Sequence, residues 1–150
     1  MKLFTTFLGC LAIFITTNLY SQTNPNKIMT NQETVQKFLE GFNDPDMIHE
    51  SLALLSDDYH FKNPMVELTT KSAFIGLAQQ IGSVLTGVDI LHITDNGNWI
   101  ALMYEFKSSI AGLEVNLATE WFRLENGIIK ESILIYDATK WRALYAQMEN

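Results

Sequence analysis

The sequence predicts an α+β domain in which N-terminal helices pack on one face of a curved, cone-shaped antiparallel sheet. Apolar residues recur at helical spacing until about residue 85, and after Gly87 they alternate with polar residues along four consecutive stretches. Helices followed by a run of strands are typical of the α+β class. A chain of 150 residues that is 47% hydrophobic can bury the core of one such domain.

Three helices are predicted in the first part of the chain. The first begins at the capping box Thr30-Asn-Gln-Glu33, in which each end residue can satisfy a free backbone N–H of the other, and it is stopped by Asp44-Pro45. Asp46 is expected to cap a short second helix that ends near Asp58. The third helix is expected from Lys71 to Leu85.

The strands are predicted from residue patterns of period two and from the turns between them. Short links containing Gly97, Gly112 and Gly127 join the last four strands, so these strands form an antiparallel meander. After them, Asp137 is expected to cap a C-terminal helix. A bent sheet with helices on one face leaves a hollow, which is where a ligand site is expected. The predicted strands are Tyr59 to Asn63, Val88 to Thr94, Trp99 to Lys107, Leu113 to Leu124 and Ile128 to Tyr136.

The N-terminal segment reads as a secretory signal peptide over residues 1–21, followed by a flexible leader over 22–29 and by the domain over 30–150. Lys2 precedes an apolar run that contains threonines and ends near Ser21, as in a cleaved signal. The alternative is an uncleaved membrane anchor. With cleavage, the protein is expected to be exported, periplasmic or secreted, and not stably inserted in a membrane. Cys10, the only cysteine, would leave with the signal, which excludes disulfides and thiol catalysis in the mature chain.

Charge and motif content exclude several classes of function. The net charge of −7 argues against a nucleic-acid partner. The three histidines, His49, His60 and His92, show no metal-ligand spacing, and no nucleotide-binding or nucleophile motif occurs. We therefore expect no metal and no cofactor.

Four stretches of the chain resemble the nuclear transport factor 2-like superfamily, in its SnoaL-like and ketosteroid-isomerase-like branch. They are "VQKFLEGFNDPD", "LLSDDYHFKNP", "TEWFRLENGIIKE" and "ILIYDATKW", and the resemblance extends from Val35 to about Asp137. It implies a cone-shaped fold of the cystatin-like α+β roll type. It implies no particular activity, because this superfamily carries many functions on one fold.

The resemblance also argues against steroid isomerisation. In the ketosteroid-isomerase branch, an Asp before a proline moves the proton, while a Tyr and a protonated Asp hold the oxyanion. By motif, those positions are Asn63, Phe38 and Glu120 in this chain. An amide cannot act as the base and a phenyl ring has no hydroxyl, so that chemistry is not expected here.

Asn63 has two interpretations that are compatible with each other. An Asn before a proline suits the end of a strand at a turn, with its side chain bonded to the local backbone. It could also direct its amide into the hollow and orient a ligand carbonyl or hydroxyl.

Two interpretations are open for the predicted strand Leu113 to Leu124, and they differ in whether the face that carries Glu120 is buried or exposed. Periodicity alone sends the even-numbered residues of this strand to solvent, whereas the resemblance sends them into the hollow and predicts a raised pKa for Glu120. In the second case an apolar outer face needs covering, which predicts a homodimer. The residues expected on that outer face are Leu113, Val115, Leu117, Thr119, Trp121, Ile129, Ile133 and Ile135.

The leading hypothesis is a dimeric protein that binds a small hydrophobic molecule in the cone without a cofactor. The alternative is a cofactor-free cyclase, isomerase or lyase with Glu120 as general acid, and a third is a filled hollow with a protein-binding outer face. Besides Glu120, the residues expected to contact the ligand are Asn63, Phe38, Phe42, Tyr59, Phe61, Phe74, Tyr104, Asn116, Phe122 and Tyr136.

Overall fold

The computed structural model describes residues 28–148, and the predicted signal peptide and most of the leader lie outside them. The α+β fold with N-terminal helices, a curved sheet and a C-terminal helix is confirmed. The elements are α1 (Asn31–Glu40), α2 (Ile48–Ala53), β1 (Leu55–Lys62), β2 (Glu67–Leu68), α3 (Lys71–Ile81), β3 (Leu85–Asn96), β4 (Trp99–Ser108), β5 (Val115–Glu125), β6 (Ile128–Tyr136) and α4 (Thr139–Met148).

The strands form a six-stranded mixed sheet in the order β2-β1-β6-β5-β4-β3. The meander from β3 to β6 is antiparallel, as its short turns predict. Strand β1, however, pairs with β6 in parallel. The expectation of a wholly antiparallel sheet is wrong here, because α3 and the meander carry the chain back to β1 from the far side, and local sequence does not encode that pairing.

Helix α1 begins as predicted. The Thr30 hydroxyl accepts a hydrogen bond from the Glu33 backbone N–H, and the Glu33 carboxylate accepts one from the Thr30 N–H. The expected capping of α2 by Asp46 is wrong: Met47 is the N-terminal cap and its side chain makes no capping bond. The turn is organised instead by Asp44, whose carboxylate accepts from the Asp46 N–H.

Several element boundaries differ from the sequence prediction. Helix α2 ends at Ala53 rather than near Asp58, and β3 begins at Leu85 rather than Val88. Long-range pairing explains the boundaries of β1 and α3. Strand β1 begins at Leu55 rather than Tyr59, since Leu55 pairs with Ile129 and the adjacent Leu54 carbonyl accepts from the Ile129 N–H. Helix α3 ends at Ile81 rather than Leu85, because Gly82 closes it and Leu85 already pairs with Ser108 in the sheet.

The even-numbered face of β5 is the buried one. Ala118, Glu120 and Phe122 are buried under the helices, whereas Leu117 is 58% exposed and Trp121 is 46% exposed on the opposite face. The resemblance therefore predicts this strand correctly, and periodicity alone does not.

Two residues expected on the outer face lie in the core instead. Ile129 is fully buried, because a register shift between Arg123 and Leu124 inverts the alternation at the start of β6. Leu113 is buried as well, since β5 begins only at Val115 and Leu113 belongs to the preceding turn.

Candidate functional site

A cavity of about 380 Å³ opens between the helices and the inner face of the sheet. Phe38 of α1, Phe74 of α3, Tyr104 of β4 and Glu120 of β5 are among its walls, and Trp141 of α4 closes one side. The volume is in the range of small-molecule sites, and most of the lining is apolar with few polar groups.

Glu120 places a carboxyl group on the sheet side of this cavity. It is 3% exposed, and both of its carboxyl oxygens have hydrogen-bond partners. The Tyr104 hydroxyl donates to Oε2 at 2.7 Å, and the Ser132 hydroxyl donates to Oε1 at 2.6 Å. Because the Ser132 hydrogen is used toward Glu120, the Tyr59 hydroxyl at 2.6 Å is the donor to the Ser132 oxygen. Four residues from four strands thus form one buried chain of hydrogen bonds.

Burial raises the pKa of Glu120 to about 7, and the hydrogen bonds from Ser132 and Tyr104 hold it lower than burial alone would. Burial also raises the pKa of the Tyr59 and Tyr104 hydroxyls well above their usual range, with the charge of Glu120 adding to the effect. Both tyrosines therefore remain proton donors to the network near neutral pH. Glu120 is the group that changes charge in this range.

Asn63 lies at the turn after β1 and at the edge of the cavity. Its side-chain oxygen accepts from the backbone N–H groups of Met65 and Val66, which organises the turn after β1. The residue also lines the cavity. Since the oxygen is occupied, the amide NH₂ is the part of the side chain that could serve a ligand acceptor.

Aromatic side chains form much of the wall. The ring of Phe38 lies 5.5 Å from that of Phe42 and 6.2 Å from that of Phe74, and the rings of Phe74 and Phe61 are 5.0 Å apart. All four rings line the cavity, and so does Tyr136. The fold thus brings these predicted residues together. Their rings contact one another mainly edge to face and surround the cavity without filling it.

Tyr59 and Phe122, predicted to contact the ligand, do not line the cavity. Both are fully buried behind it. Tyr59 is turned toward Ser132, and the ring of Phe122 packs edge-on against Phe38 at 5.7 Å. Tyr59 and Phe122 therefore support the residues of the cavity wall from behind.

Asn116, also predicted to orient the ligand, is bonded to the protein instead. Its side-chain amide donates to the carbonyl oxygens of Leu113 (2.7 Å) and Phe106 (3.3 Å), and its oxygen accepts from the indole N–H of Trp141 (3.0 Å). The residue is not part of the cavity wall. The resemblance placed Asn116 correctly on the inner face, but nothing in the sequence indicated that Trp141 of α4 would bond to it.

Further residues of the cavity wall were not among the predicted ligand contacts. Most are apolar, and a sequence pattern does not distinguish an apolar residue beside a cavity from one in an ordinary core. They are Leu39 of α1, Met65 and Val66 of the turn after β1, Leu77, Gln80 and Ile81 of α3, Leu85 and Val88 of β3, Phe106 of β4, Leu134 of β6, and Trp141 and Tyr145 of α4.

Among residues 28–148, no three His, Cys, Asp or Glu side chains come close enough to one another to hold a metal ion. No helix in this part of the chain is long and apolar enough to cross a membrane.

The outer face of the sheet is apolar and open. Val115, Leu117 and Trp121 of β5 and Ile135 of β6 are all well exposed there. Trp121 pairs across the strands with Ile133, and Thr119 pairs with Ile135, so these side chains form one continuous patch.

The sequence and the fold both resemble known proteins. Residues 35–132 match the sequence model of the SnoaL-like domain family. No curated protein matches the chain.

Solved structures with the same fold share little sequence with this chain. An NTF2-like protein of unknown function from Cytophaga hutchinsonii superposes with a TM-score of 0.67 at 16% identity, covering 80% of this chain and 98% of its own. A candidate polyketide cyclase from Xanthomonas campestris gives 0.64 at 22%, covering 75% and 94%. A candidate SnoaL-like polyketide cyclase from Jannaschia gives 0.64 at 13%, covering 75% and 89%. At these identities the likeness shows the fold alone.

Proposed function

This chain belongs to the SnoaL-like domain family, and from that premise we propose that its cavity binds a small, mostly apolar molecule that carries a carbonyl or hydroxyl group. The main support for this proposal is Glu120, a buried carboxyl group that faces a cavity with a largely apolar wall. In such a site the apolar wall supplies affinity, and the few polar groups orient the ligand.

The number of hydroxyl and carboxyl hydrogens in the network around Glu120 indicates which ligand group can bind there. The three hydrogen bonds among Tyr59, Ser132, Glu120 and Tyr104 use all three hydroxyl hydrogens when Glu120 is ionised. Protonation adds a fourth hydrogen that these three bonds cannot use. Tyr59 and Ser132 are enclosed, whereas Glu120 and Tyr104 face the cavity, so the fourth hydrogen is offered to a ligand acceptor such as a carbonyl oxygen.

Binding of an uncharged fluorescent ketone tests this proposal. We expect prodan, a naphthalene ketone, to bind the wild type and to bind Glu120→Leu about fivefold more weakly, because one hydrogen bond is lost. Fluorescence titration gives both dissociation constants. Glu105→Leu is the matched control, since it removes a carboxylate from the opposite face of the neighbouring strand, where Glu105 pairs with Leu117. Equal affinity of wild type and Glu120→Leu would remove Glu120 from the site.

A catalytic function is the second candidate, and the pKa of about 7 for Glu120 favours it. A group with this pKa can give and take a proton near neutral pH, and the hydroxyl of Tyr104 beside it can stabilise a developing oxyanion. This is the chemistry that a cofactor-free cyclase, isomerase or lyase needs, and two of the structurally similar proteins are named as candidate polyketide cyclases. Solvent deuterium incorporation next to the carbonyl of a bound ketone, followed by NMR, would distinguish catalysis from binding.

We also propose that the mature domain is exported from the cytoplasm. We further propose that it forms a homodimer through the open face of the sheet. The patch of Val115, Leu117, Trp121 and Ile135 supports a second copy as its cover, because a monomer would leave these side chains in water.

The dimer is tested by light scattering at micromolar concentration. We expect the mass of two chains for the wild type and of one chain for Trp121→Asp, because a charge in the centre of an apolar interface is left without a partner. Asp95→Asn, an exposed change near the C-terminal end of β3, is the control and is expected to remain dimeric. A wild type that scatters as a single chain would contradict the dimer.

A further inference from the structure

One wall of the cavity comes from the C-terminal helix, α4. Trp141 and Tyr145 lie one helical turn apart on α4, and both line the cavity. Trp141 is buried, whereas Tyr145 also reaches solvent. The position of α4 therefore determines how wide the cavity is on this side.

Several polar contacts join α4 to other parts of the described chain. Lys140 donates to the Gly112 carbonyl at 3.0 Å, and Arg142 donates to the Pro64 carbonyl at 2.5 Å, both at the surface through long side chains. The contact from the Trp141 indole N–H to the Asn116 side-chain oxygen at 3.0 Å is partly buried. Flexible surface contacts constrain a helix weakly, so the Trp141–Asn116 bond is the one that fixes the indole.

The orientation of the Asn116 amide is imposed by the backbone. Its NH₂ group lies between two carbonyl oxygens, those of Leu113 and Phe106, and only a donor is stable there. The side-chain oxygen must then point the other way, toward α4. Asn116 thus presents a fixed acceptor at one point, which selects the position of the indole N–H.

Trp141 passes this constraint to the cavity wall through aromatic packing. Its ring lies 6.0 Å from that of Phe106, and Phe106 packs edge-on against Tyr136 at 5.4 Å. All three rings line the cavity. A displaced indole would leave Phe106, and through it Tyr136, less firmly packed and would widen the cavity.

We infer that Asn116 is a positioning residue which, by holding Trp141, limits the size of the ligand that the cavity admits. This inference rests on the proposed ligand-binding function. Asn116 touches no ligand in this role, and its effect reaches the site only through the indole.

The experiment compares two probes of one chemistry and different size, prodan and its three-ring anthracene analogue. In wild type we expect the naphthalene ketone to bind more tightly. Asn116→Leu keeps the side-chain volume but removes all three hydrogen bonds. We expect the ratio of the two dissociation constants to move by about fivefold toward the larger probe, the effect of losing one hydrogen bond that holds the wall. A general loss of stability would weaken both probes equally and leave this ratio unchanged.

Two further variants separate positioning from folding. Trp141→Phe keeps an aromatic ring against Phe106 but lacks the N–H and part of the volume of the indole, so it should shift the ratio in the same direction and at least as far, even if Asn116→Leu does not fold. Thr119→Val is the matched control. It removes a 2.8 Å bond from a β5 side chain to the Leu102 carbonyl on the other face of the sheet, and the ratio should stay at the wild-type value.

The hydrogen exchange of the Trp141 indole N–H tests the same inference without any ligand. In a Trp99→Phe, Trp121→Phe background, Trp141 supplies the one remaining indole N–H of the chain. We expect its hydrogen exchange, measured by NMR, to accelerate roughly tenfold in Asn116→Leu. Unchanged exchange, or an unchanged probe ratio in a variant that binds both probes, would overturn the inference while leaving ligand binding intact. Failure of the wild type to bind either probe would instead overturn the proposed function, and the ligand-size role with it.

Discussion

Replacing Glu120 with glutamine is expected to remove a pH dependence of about 3 kcal/mol from the stability of this protein. The pKa of Glu120 rises from 4.5 to about 7 on folding. Between these pH values the native state keeps a proton that the unfolded chain has released. The free energy of unfolding that Glu120 contributes is therefore full below about pH 4.5 and is lost as the pH rises to 7, by about 1.4 kcal/mol per pKa unit.

The measurement is urea unfolding of wild type and Glu120→Gln at several pH values from 4 to about 8. The quantity of interest is the difference between the two curves, because exposed carboxylates such as Asp58 and Glu67, whose pKa values are lowered by their hydrogen bonds to lysines, act in the opposite direction in both proteins. We expect the difference to move in favour of Glu120→Gln as the pH rises. Leu117→Ala, which removes no ionisable group from the outer face of β5, should run parallel to the wild type. A pH-independent difference for Glu120→Gln would show that this carboxyl group does not titrate in the manner described.

Truncating Phe122 to alanine is expected to cost about 3–5 kcal/mol, the usual range for a buried phenylalanine. The side chain is fully buried, and its ring supports Phe38 at 5.7 Å, so its loss opens a void behind the cavity wall. Urea unfolding at one pH gives the free energy, and the slope with denaturant shows whether the transition stays cooperative.

The control lies on the same strand but on the other face. Leu117→Ala removes a similar volume from a side chain that is largely exposed, and in dilute protein it should cost well under the loss at Phe122. Phe122→Leu should fall between the two because it fills part of the void. Equal costs at positions 117 and 122 would contradict the assignment of the two faces of β5.

Local patterns were sufficient for the elements whose cause is local. The capping box at Thr30 works through side chains three residues apart, and its geometry follows from the sequence. The same holds for the turn at Asn126-Gly127, where both residues have positive φ as a tight hairpin turn requires. The start of β1 at Leu55 and its parallel pairing with β6 depend on Ile129, more than 70 residues away, and no local signal reports such a pairing.

Gly41 shows a constraint that sequence reasoning does not detect. Its φ of −63° is ordinary helical geometry that any residue adopts. A Cβ atom there would nevertheless lie 1.7 Å from the Ser51 Oγ, because α1 and α2 approach each other closely at this point. The requirement for glycine comes from a neighbour ten residues away and becomes visible only when both helices are in place.

The residues of the candidate site likewise fall into those that the sequence identified correctly and those whose contacts only the structure revealed. Motif resemblance was enough to single out Asn63, Phe38 and Glu120, and all three line the cavity. Asn116 and Tyr59 fell on the correct inward side of their strands, yet their side chains bond to Trp141 and Ser132 rather than facing the cavity. Alternation along a strand tells which face a residue occupies, but which partner covers that face is set by the helices.

The sequence by itself determined the order and type of the elements except the two-residue strand β2, together with the hairpin turns and the polar residues available for a site, because these depend on side-chain periodicity and turn chemistry over a few residues. Only the tertiary structure decided that the Glu120 face is the buried one, that a register shift moves Ile129 into the core, and that α4 completes the cavity. The physical reason is that burial, pKa and cavity shape depend on what packs against a residue, and those contacts come from distant parts of the chain.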